Sequence, residues 1–133
     1  MTAPMRLEVA EALNAAADLI ETGWTQGQLH ARIDDTDCYC LTGALQLVTG
    51  IAHHSPDTGI FVSLFLADKG RSRLFLAATD TISRHLGTGA PLPSWNDTPG
   101  RTGPEVSTAL RAAAAAITVD SLNSLNQQPK ETP

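Results

Sequence analysis

Five stretches of this chain repeat apolar side chains every three or four residues, and four of the five run toward a glycine, at Gly23, Gly50, Gly70 and Gly87. That spacing is the period of a helix with one buried face, and glycine ends helices because it enters the left-handed conformation without a Cβ clash. Val9, Leu13, Ala16, Ala17 and Ile20 share one face, with Glu8, Glu11, Asn14, Asp18 and Glu21 largely opposite. This predicts a helix from about Met5 to Glu21, stopped at Thr22-Gly23, after which Trp24 folds back as a core anchor. Cys40, Ala44, Leu47, Val48 and Ile51 mark a second helix, capped by Thr36 or Asp37 and ended by Gly50. Its Thr42-Gly43-Ala44 run of small side chains admits a close backbone neighbour, so this helix is expected at the centre.

The run from Ile60 to Ala67 fits a buried strand as well as a helix. Phe61, Leu64 and Phe65 at helical spacing, and the lack of a visible partner strand, favour the helix, with Gly70 as its stop. Ser72 can cap the next helix, carried by Leu74, Phe75, Ala78, Ile82 and Leu86. Thr102 and Glu105 form a T-x-x-E capping box ahead of Val106, Leu110, Ala113 and Ile117. Thr25 to Thr36 reads as a loop with room for a short irregular strand, and Thr88 to Gly103 as an ordered loop. The expected fold is all-α, a compact single-domain bundle of about five helices with ordered Trp-containing turns. Residues 1–119 form the helical domain, and 120–133 a weakly structured polar C-terminal tail.

At 133 residues the chain has the size of one domain. Its 42% hydrophobic and 17% charged content is that of a folding sequence. No apolar run approaches the ~20 residues needed to span a bilayer, and Met1 to Arg6 lacks a basic flank with an apolar signal core. Membrane insertion and secretion are disfavoured, and a cytoplasmic setting is expected. The net charge of −5 disfavours nucleic acid as a partner. Lys69, Arg71, Arg73, Arg84 and His85 alternate with Asp68 and Asp80 and read as a solvated helix face. Cys38 and Cys40, one residue apart, are poorly placed for a mutual disulfide and suit a reducing compartment.

Four constellations bear on chemistry. Cys40 near a helix N-terminus, one of His85, His53 and His54, and Asn96 as orienter are the components of a cysteine-dependent hydrolase or transferase. Against this, Cys40 falls on the apolar face and no oxyanion hole is specified. Cys38, Cys40, His53 and His54 are four donors for a metal, although C-x-C followed by adjacent histidines is not a usual zinc spacing. Asp34, Asp35 and Asp37 are close enough in sequence to hold a hard cation, but read better as an acidic loop with a helix-start role. Finally, Trp95, Asn96, Asp97 and Arg101 present an aromatic ring, an amide, a carboxylate and a guanidinium together. They are binding candidates weighed against a plain turn in which Asp97 pairs with Arg101.

Three ordered segments carry a resemblance: Gly23-Trp24-Thr25-Gln26-Gly27, then Cys40-Leu41-Thr42-Gly43-Ala44-Leu45, then Trp95-Asn96-Asp97-Thr98-Pro99-Gly100-Arg101-Thr102. Together, across about residues 7–117, they resemble a family of small uncharacterised proteins of actinobacteria and their phages, a domain of unknown function. The resemblance implies an architecture and a cytoplasmic or phage-infected-cell setting, and no activity. The chain departs from that pattern between His53 and Leu86.

The expectation is therefore a small cytoplasmic module that binds another protein, with self-association as one form of that, and more a binder than an enzyme. A cysteine-dependent hydrolase or transferase, and a metal- or small-molecule-binding regulator, stand as alternatives. No cofactor is expected.

Overall fold

Two helices rich in alanine set the frame. In the computed structural model, which describes residues 1–63 and 68–126, α1 (Ala3–Thr22) and α5 (Gly103–Asn126) form the most extensive helix pair. Val9, Leu13, Ala16, Ala17 and Ile20 of α1 share a buried core with Val106, Leu110, Ala113, Ala114 and Ile117 of α5. Alanine at so many contact positions lets two helices lie at the near end of the usual spacing, where dispersion contacts are dense. Outside the core, Arg111 reaches from α5 to the carboxylates of Asp18 and Glu21 on α1. No helix of the described residues is long and apolar enough to cross a membrane.

The central helix is α2 (Leu41–Thr49), which packs on α1 and on α3 (Lys69–Leu86). Its position follows from Gly43, where a Cβ would sit 2.0 Å from the Leu29 carbonyl oxygen. That carbonyl accepts from the Cys40 amide at 3.2 Å. The predicted close backbone approach therefore occurs, and glycine is its condition. The cap, however, is Cys40 itself, whose sulfur accepts from the Gly43 amide at 3.3 Å, in place of Thr36 or Asp37. Likewise α3 starts earlier than expected, capped by Asp68 with Gly70 inside its first turn.

The chain is not all-α, and this corrects the expected fold. Besides its helices, the described structure holds two antiparallel two-stranded sheets. One pairs β1 (His30–Ile33) with β2 (Thr36–Tyr39), in register His30 with Tyr39 and Arg32 with Asp37. Its turn residues, Asp34 and Asp35, both have positive φ (50° and 61°). Two consecutive left-handed residues between paired strands match the twist of a hairpin, and aspartate tolerates that conformation better than most side chains. The acidic cluster thus has no helix-start role: it builds a β-turn. The other sheet pairs β3 (Ala52–His54) with β4 (Phe61–Ser63), with His54 opposite Phe61. The helix expected over Ile60 to Ala67 is replaced by β4 through residue 63, while residues 64–67 lie outside the described residues. The missing partner strand is β3, a segment too short for alternation to register as a strand signal. Ser63 donates to the buried Gln46 side chain at 2.7 Å, tying this hairpin to α2.

The remaining short helix, α4 (Leu92–Asn96), lies in the Gly- and Pro-rich stretch that was expected to be ordered. α5 continues to Asn126, past Val119 where the apolar spacing fades. Residues 127–133 of the expected tail lie outside the described residues.

Candidate functional site

Asn96 is fully buried and joins the three sequence motifs at one point. Its side-chain oxygen accepts from the Trp24 indole at 2.8 Å and from the Leu41 amide at 3.1 Å. Its side-chain nitrogen donates to the Thr25 carbonyl at 3.1 Å and to the Asp97 carboxylate at 2.9 Å. An amide with two donors and two acceptor sites is then saturated. The same Asp97 oxygen takes the Gly27 amide at 2.9 Å, and the Gln26 side chain donates to the carbonyls of Asn96 and Thr98. Gly23 is extended (φ −170°), so the left-handed stop expected there does not form. What demands glycine is space, because a Cβ would lie 2.7 Å from the Asp37 carbonyl oxygen.

Trp95 is half-buried under Arg101, whose guanidinium carbon sits 4.0 Å from the ring centre. Arg101 also donates to the Trp95 carbonyl and pairs with Glu105, so its ionic partner is Glu105 in place of Asp97. Trp24 packs against the core and against Gly103, where a Cβ would come within 3.2 Å.

Cys40 is 4% exposed, and burial pushes its thiol above the ordinary range, against smaller opposing pulls from the Gly43 and Thr42 amides. A small cleft beside it is lined by Gly27, Gln28, Leu29, Pro93 and Asp97, with no imidazole. His85 is exposed at the end of α3, and His53 is exposed on β3. Cys38 is buried, its sulfur directed to the Thr36 carbonyl.

A second constellation lies where the two hairpins face each other. Side chains alternate along a strand, so His30, Arg32, Asp37 and Tyr39 share one face of the first hairpin, and His54 and Phe61 share a face of the second. Those faces meet. The His30 ring stacks on Phe61 with centroids 5.4 Å apart and packs edge-on against His54 at 5.0 Å. His30 Nε2 lies 2.8 Å from Asp37 Oδ1, and this bond holds the Asp37 carboxyl below its usual range, with His54 and Arg32 adding. His54 Nδ1 lies 2.9 Å from the Gly59 carbonyl, which only accepts, so Nδ1 carries the proton. Its Nε2 faces the Tyr39 hydroxyl at 2.5 Å. Burial, and then the Asp37 charge, raise the Tyr39 hydroxyl and keep it a donor. Beside these rings a groove of about 460 Å³ runs between the hairpins, lined by Leu29, His30, Arg32, Gly59, Ile60 and Phe61.

The sequence candidates thus divide. Cys40, Asn96 and Asp97 meet in the scaffold, Trp95 and Arg101 flank it, and of the candidates only His54 and Asp37 reach the hairpin cluster. His30 was missed, although a signal for it existed: His30 to Ile33 and Thr36 to Tyr39 are two four-residue runs separated by two turn-forming residues.

Among the described residues, five helices and two antiparallel hairpins define a small α+β domain with a histidine-bearing groove. The order in which its motifs converge is a property of the whole chain rather than of one segment. The chain belongs to the family of unknown function DUF6197, whose family model matches residues 4–116. No curated protein and no solved structure matches it.

Proposed function

We propose that this chain is a protein-interaction module whose working surface is the face built by the two hairpins. The carrying observation is a division of side chains: Cys40 and Asn96 point inward, while Ile60, which lines the groove between the hairpins, is 61% exposed. A hydrolase reading requires a reactive thiolate with an imidazole at hand. The buried, upward-shifted Cys40 thiol and the saturated Asn96 amide argue against that assignment. An exposed apolar side chain in an open groove with aromatic and cationic walls suits a partner that brings apolar side chains and acidic or hydrogen-bonding groups. The setting that accompanies this reading is the cytoplasm of an actinobacterial or phage-infected cell, with a host protein or a second copy of the chain as partner.

The test is affinity capture by the full chain from such cells, run beside Ile60→Asp. A partner retained by the wild type and released by the variant supports the reading, and sedimentation velocity separates a foreign partner from self-association. Equal capture by both proteins, or no specific partner, contradicts it.

A further inference from the structure

We propose that His30, Asp37 and His54 bind a divalent first-row transition metal ion at the edge of the groove, clipping the two hairpins together. One ligand atom from each of the three residues lies within 4.8 Å of the other two. Two imidazoles and one carboxylate are a donor set for such ions, with coordination positions left over for water or for a partner's side chain. Calcium and magnesium, which prefer oxygen, are poorly served by it.

Three features go beyond proximity. First, the ligands come from separate hairpins: His30 and Asp37 stand on β1 and β2, and His54 on β3. Second, His54 is already oriented as a metal ligand usually is. Its Nδ1–H is held by the Gly59 carbonyl, which fixes the tautomer with the lone pair on Nε2. In the structure that lone pair takes the Tyr39 hydroxyl, a bond the ion replaces. Third, Phe61 stacks on His30 and fixes its ring plane beside the groove.

Bonds of about 2.0–2.1 Å in a tetrahedral site set neighbouring ligand atoms roughly 3.3 Å apart. His30 Nε2 and Asp37 Oδ1, at 2.8 Å, share a proton where the ion would sit, so they part slightly on binding. His30 then ligates through Nε2 with its proton on Nδ1. Closing the remaining gap falls to Asp37, whose side chain is 38% exposed and has room to rotate.

The experiment is a titration of the full-length chain with Zn2+ under competition from a chromophoric chelator. It is repeated with His30→Gln, Asp37→Asn, His54→Gln and the control His53→Gln. His53 stands on the same strand as His54, opposite Val62, and is turned to the other face. The expected result is one ion per chain with Kd at or below about 1 µM. Each ligand substitution weakens it by at least the roughly 10- to 100-fold that loss of an outer partner costs a metal site. His53→Gln leaves it unchanged. Co2+ distinguishes the sulfurs: this site gives ligand-field bands without sulfur-to-cobalt charge transfer, whereas Cys38 or Cys40 ligation produces that band.

Should a ligand variant fail to fold, ring resonances of the wild-type protein decide. Zn2+ shifts the His30 and His54 signals and leaves those of His53 and His85 in place. No saturable binding, binding that survives all three ligand substitutions, or a thiolate band overturns the proposal.

Discussion

The asparagine hub and the hairpin pair hold polar side chains in opposite ways. At Asn96 each side-chain donor and acceptor has a partner, the residue is fully buried, and glycines at 23 and 43 stand where backbone leaves no room for a Cβ. Between the hairpins, His30, Asp37, Tyr39 and His54 bond chiefly to one another beside an open groove. Saturation makes the first region a joint. The second instead borders an open groove, where we propose that a ligand is taken. Motifs that stand out in a sequence thus mark the residues a fold cannot do without, and these need not be the residues that meet a partner.

Breaking the joint has the largest effect. Asn96→Ala leaves the Trp24 indole and the Leu41 amide without their acceptor in a buried site, and costs about 4 kcal/mol by the usual desolvation of such groups. Urea denaturation followed by Trp fluorescence measures it. A loss under about 1 kcal/mol would mean that water reaches these groups and that the hub is not dry. Gly43→Ala follows at about 3 kcal/mol, since the Leu29 carbonyl it meets is backbone and cannot swing aside.

On the hairpin side, Ile60→Asp changes stability by no more than about 0.5 kcal/mol, as expected for an exposed position, while abolishing capture of a partner. A large stability loss there would turn the surface into core and erase the contrast. Cys40 sharpens the same division by rate: in the folded protein it reacts with a thiol reagent at neutral pH far more slowly than a small free thiol does. Fast labelling of Cys40 would reinstate a nucleophile.

The smallest effect is electrostatic and belongs to neither region. The Arg111 hydrogen bond holds the Glu21 carboxyl below its ordinary 4.5, on an exposed helix face. A depressed folded-state value gives stability that is present above pH 4.5 and lost as pH falls through the folded value. Arg111→Ala therefore lowers stability at pH 6, where the Glu21 contribution is present, and converges with the wild type as the pH falls to 3, so that denaturation across this range shows a flatter acid limb.

Helices α1, α2, α3 and α5 are legible because each repeats its buried face over several turns, as Val9 to Ile20 does. The strands span three or four residues, so each offers at most two alternations, and period analysis has nothing to average. Asp34-Asp35 hid the first hairpin because the pair reads as an acidic loop until the closed turn gives both residues positive φ, and the two four-residue runs on either side are too short to stand out by period. The second was hidden because the helical spacing of Phe61, Leu64 and Phe65 in the sequence outweighs the three residues of β4, too few to show alternation. The scaffold motifs were visible as text, yet their convergence on Asn96 involves contacts about seventy residues apart, which no local pattern contains. His30 joins His54 only after both hairpins fold, so the hairpin signal around His30 did not by itself announce the cluster.

Native-state hydrogen exchange tests the division most directly. The amides of Leu41 and Gly43, bonded to Asn96 and to Cys40, are expected to exchange only through global unfolding, with the β3 and β4 amides opening earlier at lower free energy. Leu41 and Gly43 amides that exchange as readily as those of β3 and β4 would contradict it.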